Sequence, residues 1–237
     1  LEVVSEVQRK LLPKQLPEID GFKLAAHYET SRYAGGDYYD IVELPNGLLA
    51  ILVADAEGHS SPAAVMMAIT CALFRSCPNC LDEPDRIISY INENLCKVNL
   101  ESFVTAIYAV YDTRDRKLKI TRAGHPFPIL YRPVEKIAEE IQCEGVPLMG
   151  FQPYPEVPVT EVVLEPGDRL LFYTDGVTDR VNERQELYGK NRLLEQFGTT
   201  SLNDPEGILK EIRDDLSRFA GSRPADDDQA MLMMAVL

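Results

Sequence analysis

The Asn46-Gly47 dipeptide, set between two apolar runs, constrains the fold of this chain more than any other feature. Tyr38 to Leu44 and Leu48 to Ala54 both read as strands, with Pro45-Asn46-Gly47 as the turn between them. Asn-Gly readily adopts the two positive φ angles of a tight hairpin turn, so the two runs pair antiparallel. The grouping recurs downstream. Phe103 to Tyr111 and Lys117 to Thr121 form a second hairpin-like pair, and Phe22 to Tyr28, Phe127 to Tyr131, Val159 to Leu164, Arg169 to Tyr173 and Ala230 to Leu237 are further strands. Helices are expected at residues 1–12, at Pro62 to Ser76, at Asp82 to Asn94 with Asp82 as N-cap, and at 190–197 and 205–219. Strands grouped in hairpins, with helices between the groups, give an α+β class rather than regular βαβ alternation.

Hydrophobic residues make up 45% of the 237 and charged residues 26%, enough to bury a sizeable core. One domain is expected over 15–237. Residues 1–14 read as the end of a linker helix: Leu1, Val4, Val7 and Leu11 recur at helical spacing and Pro13 stops them. A start without Met suggests an upstream sensor domain, with homodimerisation possible through the helix. The net charge of -14 disfavours nucleic acid as a partner. The five Cys are an odd number, which suggests reduced thiols and a cytoplasmic setting. Cys77-Pro78-Asn79-Cys80 reads as a loop after a helix, because no second pair follows to complete a zinc site. No run approaches the roughly 18 apolar residues of a membrane span.

The chemistry lies in the acids. Asp37 follows Gly35-Gly36 just before a strand; Asp55 follows the apolar run Leu48 to Ala54; Asp175 follows Arg169 to Thr174 and precedes Gly176. Asp226, Asp227 and Asp228 precede the last strand. Carboxylates gathered at strand ends repel unless cations lie between them. Oxygen donors suit Mg²⁺ or Mn²⁺ rather than zinc, and glycine beside an acid lets backbone approach an ion. Two such ions can hold and deprotonate a water for in-line attack on phosphorus.

The strings EVQRKLLP, GGDYYD, VADAEGH followed by PAA, FVTAIYAVYD, AGHPFP, GVPLMG, GDRLLFYTDGVTD and DDQAMLMM occur in this order over nearly the whole chain. Together they make it resemble the SpoIIE/RsbU branch of the PPM (PP2C-like) metal-dependent serine/threonine phosphatases. The resemblance implies an α-β-β-α sandwich of two antiparallel sheets flanked by helices. It implies two Mn²⁺ or Mg²⁺ ions, with Asp37, Asp55, Asp175 and Asp227 as the catalytic ligand set. Asp55 would bridge the ions, the Ala56 carbonyl would add a ligand, and Asp228 is the alternative to Asp227. The implied substrate is a phosphoserine or phosphothreonine regulatory protein, of the STAS-type anti-anti-sigma class.

The sequence departs from the family pattern in places. Ser60 stands where relatives more often carry Gly, and Ala230 replaces the usual Thr. Glu57 occupies the place where eukaryotic-type relatives carry a His that can act as general acid, so the source of the leaving-group proton is open. His59 and His125 are candidates for a direct role, with a structural hydrogen bond the commoner use for His125; His27, in a strand, reads as structural. The alternative function is a catalytically weak or inactive regulatory module. A diguanylate cyclase would continue Gly-Gly-Asp with Glu-Phe rather than Tyr38-Tyr39, and a His-rich phosphodiesterase centre would need more than the three His present.

Overall fold

The structure is a computed structural model. It describes residues 2–31, 35–58, 61–98 and 101–237, with backbone alone at 2–5 and 7. His59 and Ser60 therefore lie outside the described residues, as do Leu1 and the side chains of Val4 and Val7, which carry the expected apolar stripe of the first helix. The chain divides into two compact units, residues 1–17, 33–125 and 142–164 in one and 18–32, 126–141 and 165–237 in the other.

The first unit is built on a sheet of β2 (Asp37–Leu44), β3 (Leu48–Ala56), β4 (Val104–Asp112), β5 (Lys117–Ala123) and β8 (Gly145–Val146), in that order, with β9 (Thr160–Val163) also paired to β5. The Pro45–Gly47 turn closes β2 on β3 with φ of 64° at Asn46 and 73° at Gly47, the left-handed pair its sequence predicts. The sheet is antiparallel, as expected, apart from a short contact in which β8 runs parallel to β5 over two residue pairs. Helices α2 (Ser61–Ser76) and α3 (Pro84–Val98) pack on it. Phe74 of α2 meets Tyr108 of β4 edge-on, and the Tyr108 hydroxyl donates to the Leu81 carbonyl at 2.6 Å. Helix α1 (Glu2–Leu11) lies against α2.

The second unit holds an antiparallel sheet in the order β1 (Phe22–Glu29), β11 (Gln229–Val236), β10 (Arg169–Tyr173), β6 (Ile129–Arg132), β7 (Ile137–Glu140). Its core joins Leu171, Tyr173, Met231 and Met233 to Leu193 and Phe197 of α5 (Lys190–Thr199) and to Ile208, Ile212 and Leu216 of α6 (Pro205–Ala220). All eight residues of β11 are buried, which is why it reads as a continuous apolar run instead of alternating. The four-residue helix α4 (Asp175–Thr178) follows β10.

Other expectations are revised. Helix α3 starts at Pro84, not Asp82: proline suits the first helical position, and the Glu83 carbonyl accepts from both Arg86 and Ile87. Asp37 and Asp55 stand within β2 and β3, where they were expected just outside, because the hairpin ladder pairs them. Strands β7 and β8 were hidden in the Pro- and Glu-rich stretch; β7 is a half-exposed edge strand of sequence IAEE and β8 is two residues long. Cys77 and Cys80 are joined in a disulfide across the turn after α2, their Cα atoms 6.2 Å apart, where free thiols were expected. Cys71, Cys96 and Cys143 are free.

Candidate active site

In the first unit the β2–β3 register sets Asp37 directly opposite Asp55, and the β3–β4 register sets Asp55 directly opposite Thr105. Directly paired residues project from the same face of an antiparallel sheet. Asp37, Asp55 and Thr105 therefore form one row across three strands. Asp37 is 2% exposed and Asp55 half-buried. The Ala56 amide donates to the Gly36 carbonyl at 3.1 Å. A Cβ on Gly36 would collide with the carbonyl oxygens of Ala56 and Gly58, so only glycine lets this loop close against the end of β3.

Two contacts from α1 reach this region. The buried Gln8 amide donates to the Gly35 carbonyl at 2.6 Å and accepts from the Gly35 amide at 3.0 Å. Asp40 accepts from the Tyr38 hydroxyl at 2.5 Å and pairs with Arg75 at 2.8 Å, and Arg75 also donates to the Leu11 carbonyl at the end of α1 at 2.7 Å. On the far side of the row, the fully buried His125 places Nδ1 2.8 Å from the Thr105 hydroxyl, and its carbonyl accepts from Arg122.

In the second unit Thr174 ties the end of β10 to β11. Its amide donates to the Ala230 carbonyl at 3.0 Å, and its hydroxyl accepts from the Ala230 amide at 2.9 Å. The chain then turns into α4 at Asp175. A side chain on Gly176 would strike the Asp228 carbonyl, so this glycine sets the close approach of the two loops. Asp175 is open to water on one side with protein packed behind it. That partial desolvation, with the nearby Asp227 and Asp179 carboxylates, pushes its carboxyl up to about 6. Asp227 is half-buried and accepts from the Asp228 amide at 2.9 Å. Asp228 is 2% exposed and accepts from both the amide and the hydroxyl of Ser31, at 2.8 and 3.3 Å. Asp226 is held at the surface by Arg223, and Arg180 donates to the carbonyls of Arg223 and Pro224.

These residues suit hard divalent cations. The donors are carboxylate and carbonyl oxygens, and repulsion of Asp175 by Asp227 and Asp179 is a cost that a cation relieves. Among the described residues no group of three or more His, Cys, Asp or Glu side chains makes a ready cage. Sites of the Mg²⁺ kind take one or two carboxylates per ion and complete their shell with water and substrate oxygens. Glu57 is exposed just beyond Ala56. His27 faces Glu29 at 3.5 Å, and burial lowers its ring below the usual range. Gln8, Thr105 and Ser31 escaped the sequence reading; the signal available for the first two was that each lies inside a family-like string.

Comparison with known proteins gives the class first. The SiaA-PP2C domain of Pseudomonas aeruginosa superposes with a TM-score of 0.86 at 21% identity, covering 100% of this chain and 95% of that one. RsbX in complex with magnesium superposes with a TM-score of 0.69 at 16% identity, covering 94% and 99%. The fold is that of the PP2C-like phosphatases. The family model for stage II sporulation protein E (SpoIIE) matches residues 45–237, and the chain belongs to that family. It is 26% identical to Protein IcfG of Synechocystis sp. (strain ATCC 27184 / PCC 6803 / Kazusa), over 96% of this chain and 40% of that protein. It is 25% identical to the phosphoserine phosphatase RsbU of Bacillus subtilis (strain 168), over 96% of this chain and 67% of that protein.

Proposed function

We propose that this chain is a metal-dependent serine/threonine phosphatase that hydrolyses phosphoserine or phosphothreonine on a regulatory protein of the STAS type. The observation that carries the reading is the facing pair Asp37 and Asp55 on β2 and β3, beside the Gly36–Ala56 closure. Family membership and the likeness to RsbU support it. In this reading Asp37, Asp55 and the Ala56 carbonyl, with Asp175 and Asp227, hold two Mn²⁺ or Mg²⁺ ions. When bound, the ions supply positive charge for the phosphoryl oxygens and lower the pKa of a water towards neutrality. Asp227 is favoured over Asp228, whose carboxylate already takes two Ser31 donors in a buried setting.

The chain's own residues divide the remaining work. Gly36 and Gly176 set the close approach of backbone to the acids. Thr174 and Ala230 fix the strand end from which Asp175 projects. The hydrolysis needs no thiol. Helix α1, through Gln8 and Leu11, is read as a transmission element from an upstream sensor, with dimerisation through the helix as one of its states. The test is turnover of p-nitrophenyl phosphate and of a phosphoserine-bearing STAS protein with and without Mn²⁺. Hydrolysis of neither would leave only a regulatory module.

A further inference from the structure

The row on the first sheet does not end at the two acids. Thr105 continues it on β4, directly opposite Asp55. Directly paired Cβ atoms stand about 4.5–5.5 Å apart, close enough for a threonine hydroxyl to reach an aspartate oxygen. Thr105 in turn meets the ring of His125, at 2.8 Å from Nδ1, and that ring is fully buried. The turn carrying His125 is anchored on both sides: the Gly124 amide donates to the Val146 carbonyl at 3.0 Å, and Arg122 donates to the His125 carbonyl at 3.0 Å. An imidazole held this way cannot swing, and with Nδ1 protonated it donates to the Thr105 oxygen and leaves the hydroxyl proton for a carboxylate.

We propose that Thr105, whose hydroxyl bonds His125 Nδ1 in this structure, is a positioning residue for Asp55: His125 sets its rotamer, and its hydroxyl becomes a donor to the Asp55 carboxylate when that carboxylate holds an ion. The inference rests on the two-ion reading. Groups that orient a ligand carboxylate tune ion affinity, and their loss costs about 10–100-fold. A residue that merely packs would change stability instead. Thr105→Val keeps the shape and removes the hydroxyl; Thr105→Ser keeps the hydroxyl.

The experiment is calorimetric titration of each variant with Mn²⁺, paired with thermal melting in chelator. Thr105→Val is expected to bind Mn²⁺ at least tenfold more weakly, with a metal-free melting temperature lowered because the buried His125 Nδ1 loses its Thr105 partner, and Thr105→Ser to bind within about threefold of wild type and melt near it. His125→Phe should weaken Mn²⁺ binding similarly, and the double variant should be no worse than the weaker single one, because both act through one hydroxyl. Unchanged Mn²⁺ affinity in Thr105→Val overturns the assignment. Should that variant not fold, unchanged affinity in His125→Phe overturns it equally. A wild-type protein that binds neither Mn²⁺ nor Mg²⁺ overturns the two-ion reading itself, a result distinct from a binding wild type with an unaffected Thr105→Val.

Discussion

At the residue scale, the acids at the two loops have different work. Asp55→Ala and Asp175→Ala are expected to abolish phosphatase activity with the fold intact, and near-wild-type rates in excess Mn²⁺ would remove either from the ligand set. Asp227 and Asp228 separate by a second criterion. Asp228→Ala strands the part-buried Ser31 amide, a loss of about 1 kcal/mol. For a chain of this length each kcal/mol lowers the melting temperature by about 2–4 °C. Asp227→Ala loses only the local bond from the amide of the next residue, so it should melt nearer wild type than Asp228→Ala while losing Mn²⁺-dependent turnover. The opposite pattern, a stable Asp228→Ala without activity and an active Asp227→Ala, would exchange the two assignments. Asp175→Asn removes a charge that Asp227 and Asp179 oppose, so without metal it should melt no lower than wild type while remaining inactive. The acids were legible in the sequence because each stands beside an apolar strand. Ser31 was not, since its partner lies 197 residues away and no local pattern joins them.

At the element scale, the hairpin β2–β3 and the strands β4, β10 and β11 were readable because turn chemistry and apolar runs agreed. Strand β7 was not, as its sequence alternates weakly along a sheet edge. The disulfide was also missed: spacing alone does not separate a stapled turn from an open one. Replacing all five Cys with Ser should leave the rate on p-nitrophenyl phosphate intact, at a stability cost of up to about 2 kcal/mol from the short cross-link. A folded all-Ser protein without activity would favour a thiol phosphatase. Helix α1 carries the most consequential element-level expectation. Its Gln8 grips Gly35, two residues before Asp37, and its Leu11 carbonyl is held by Arg75 of α2. Gln8→Ala should lower turnover without lowering Mn²⁺ affinity by a similar factor. A dimeric coiled coil fused ahead of the helix in seven successive registers should give activity that varies with register. Equal activity in all seven, and in a chain starting at Pro13, would mean the helix carries no signal.

At the scale of the whole molecule, the chain carries a formal charge of -14, and several of its acids sit where folding brings like charges together. Two sheets of the expected class, each with its own helices, were legible from the hairpin grouping, whereas the parallel β8 contact was too short to leave a pattern. Folding that opposes carboxylates makes stability depend on cations, because ions that bind the folded state and not the unfolded chain stabilise it by mass action. At a free Mn²⁺ concentration one hundred times the dissociation constant, one site contributes about 2.7 kcal/mol. At about 2–4 °C per kcal/mol, the melting temperature should rise by about 5–10 °C over its value in chelator. Mg²⁺ should raise it too, whereas added NaCl of equal ionic strength should reproduce little of the shift, because screening acts on exposed charges and not on a coordination shell. Activity should vanish with chelator and return with Mn²⁺ or Mg²⁺. Asp55→Ala should show neither the upshift nor the returned activity. Full activity after exhaustive chelation, or a wild-type melting curve indifferent to both ions, would exclude a metal-dependent mechanism for this chain.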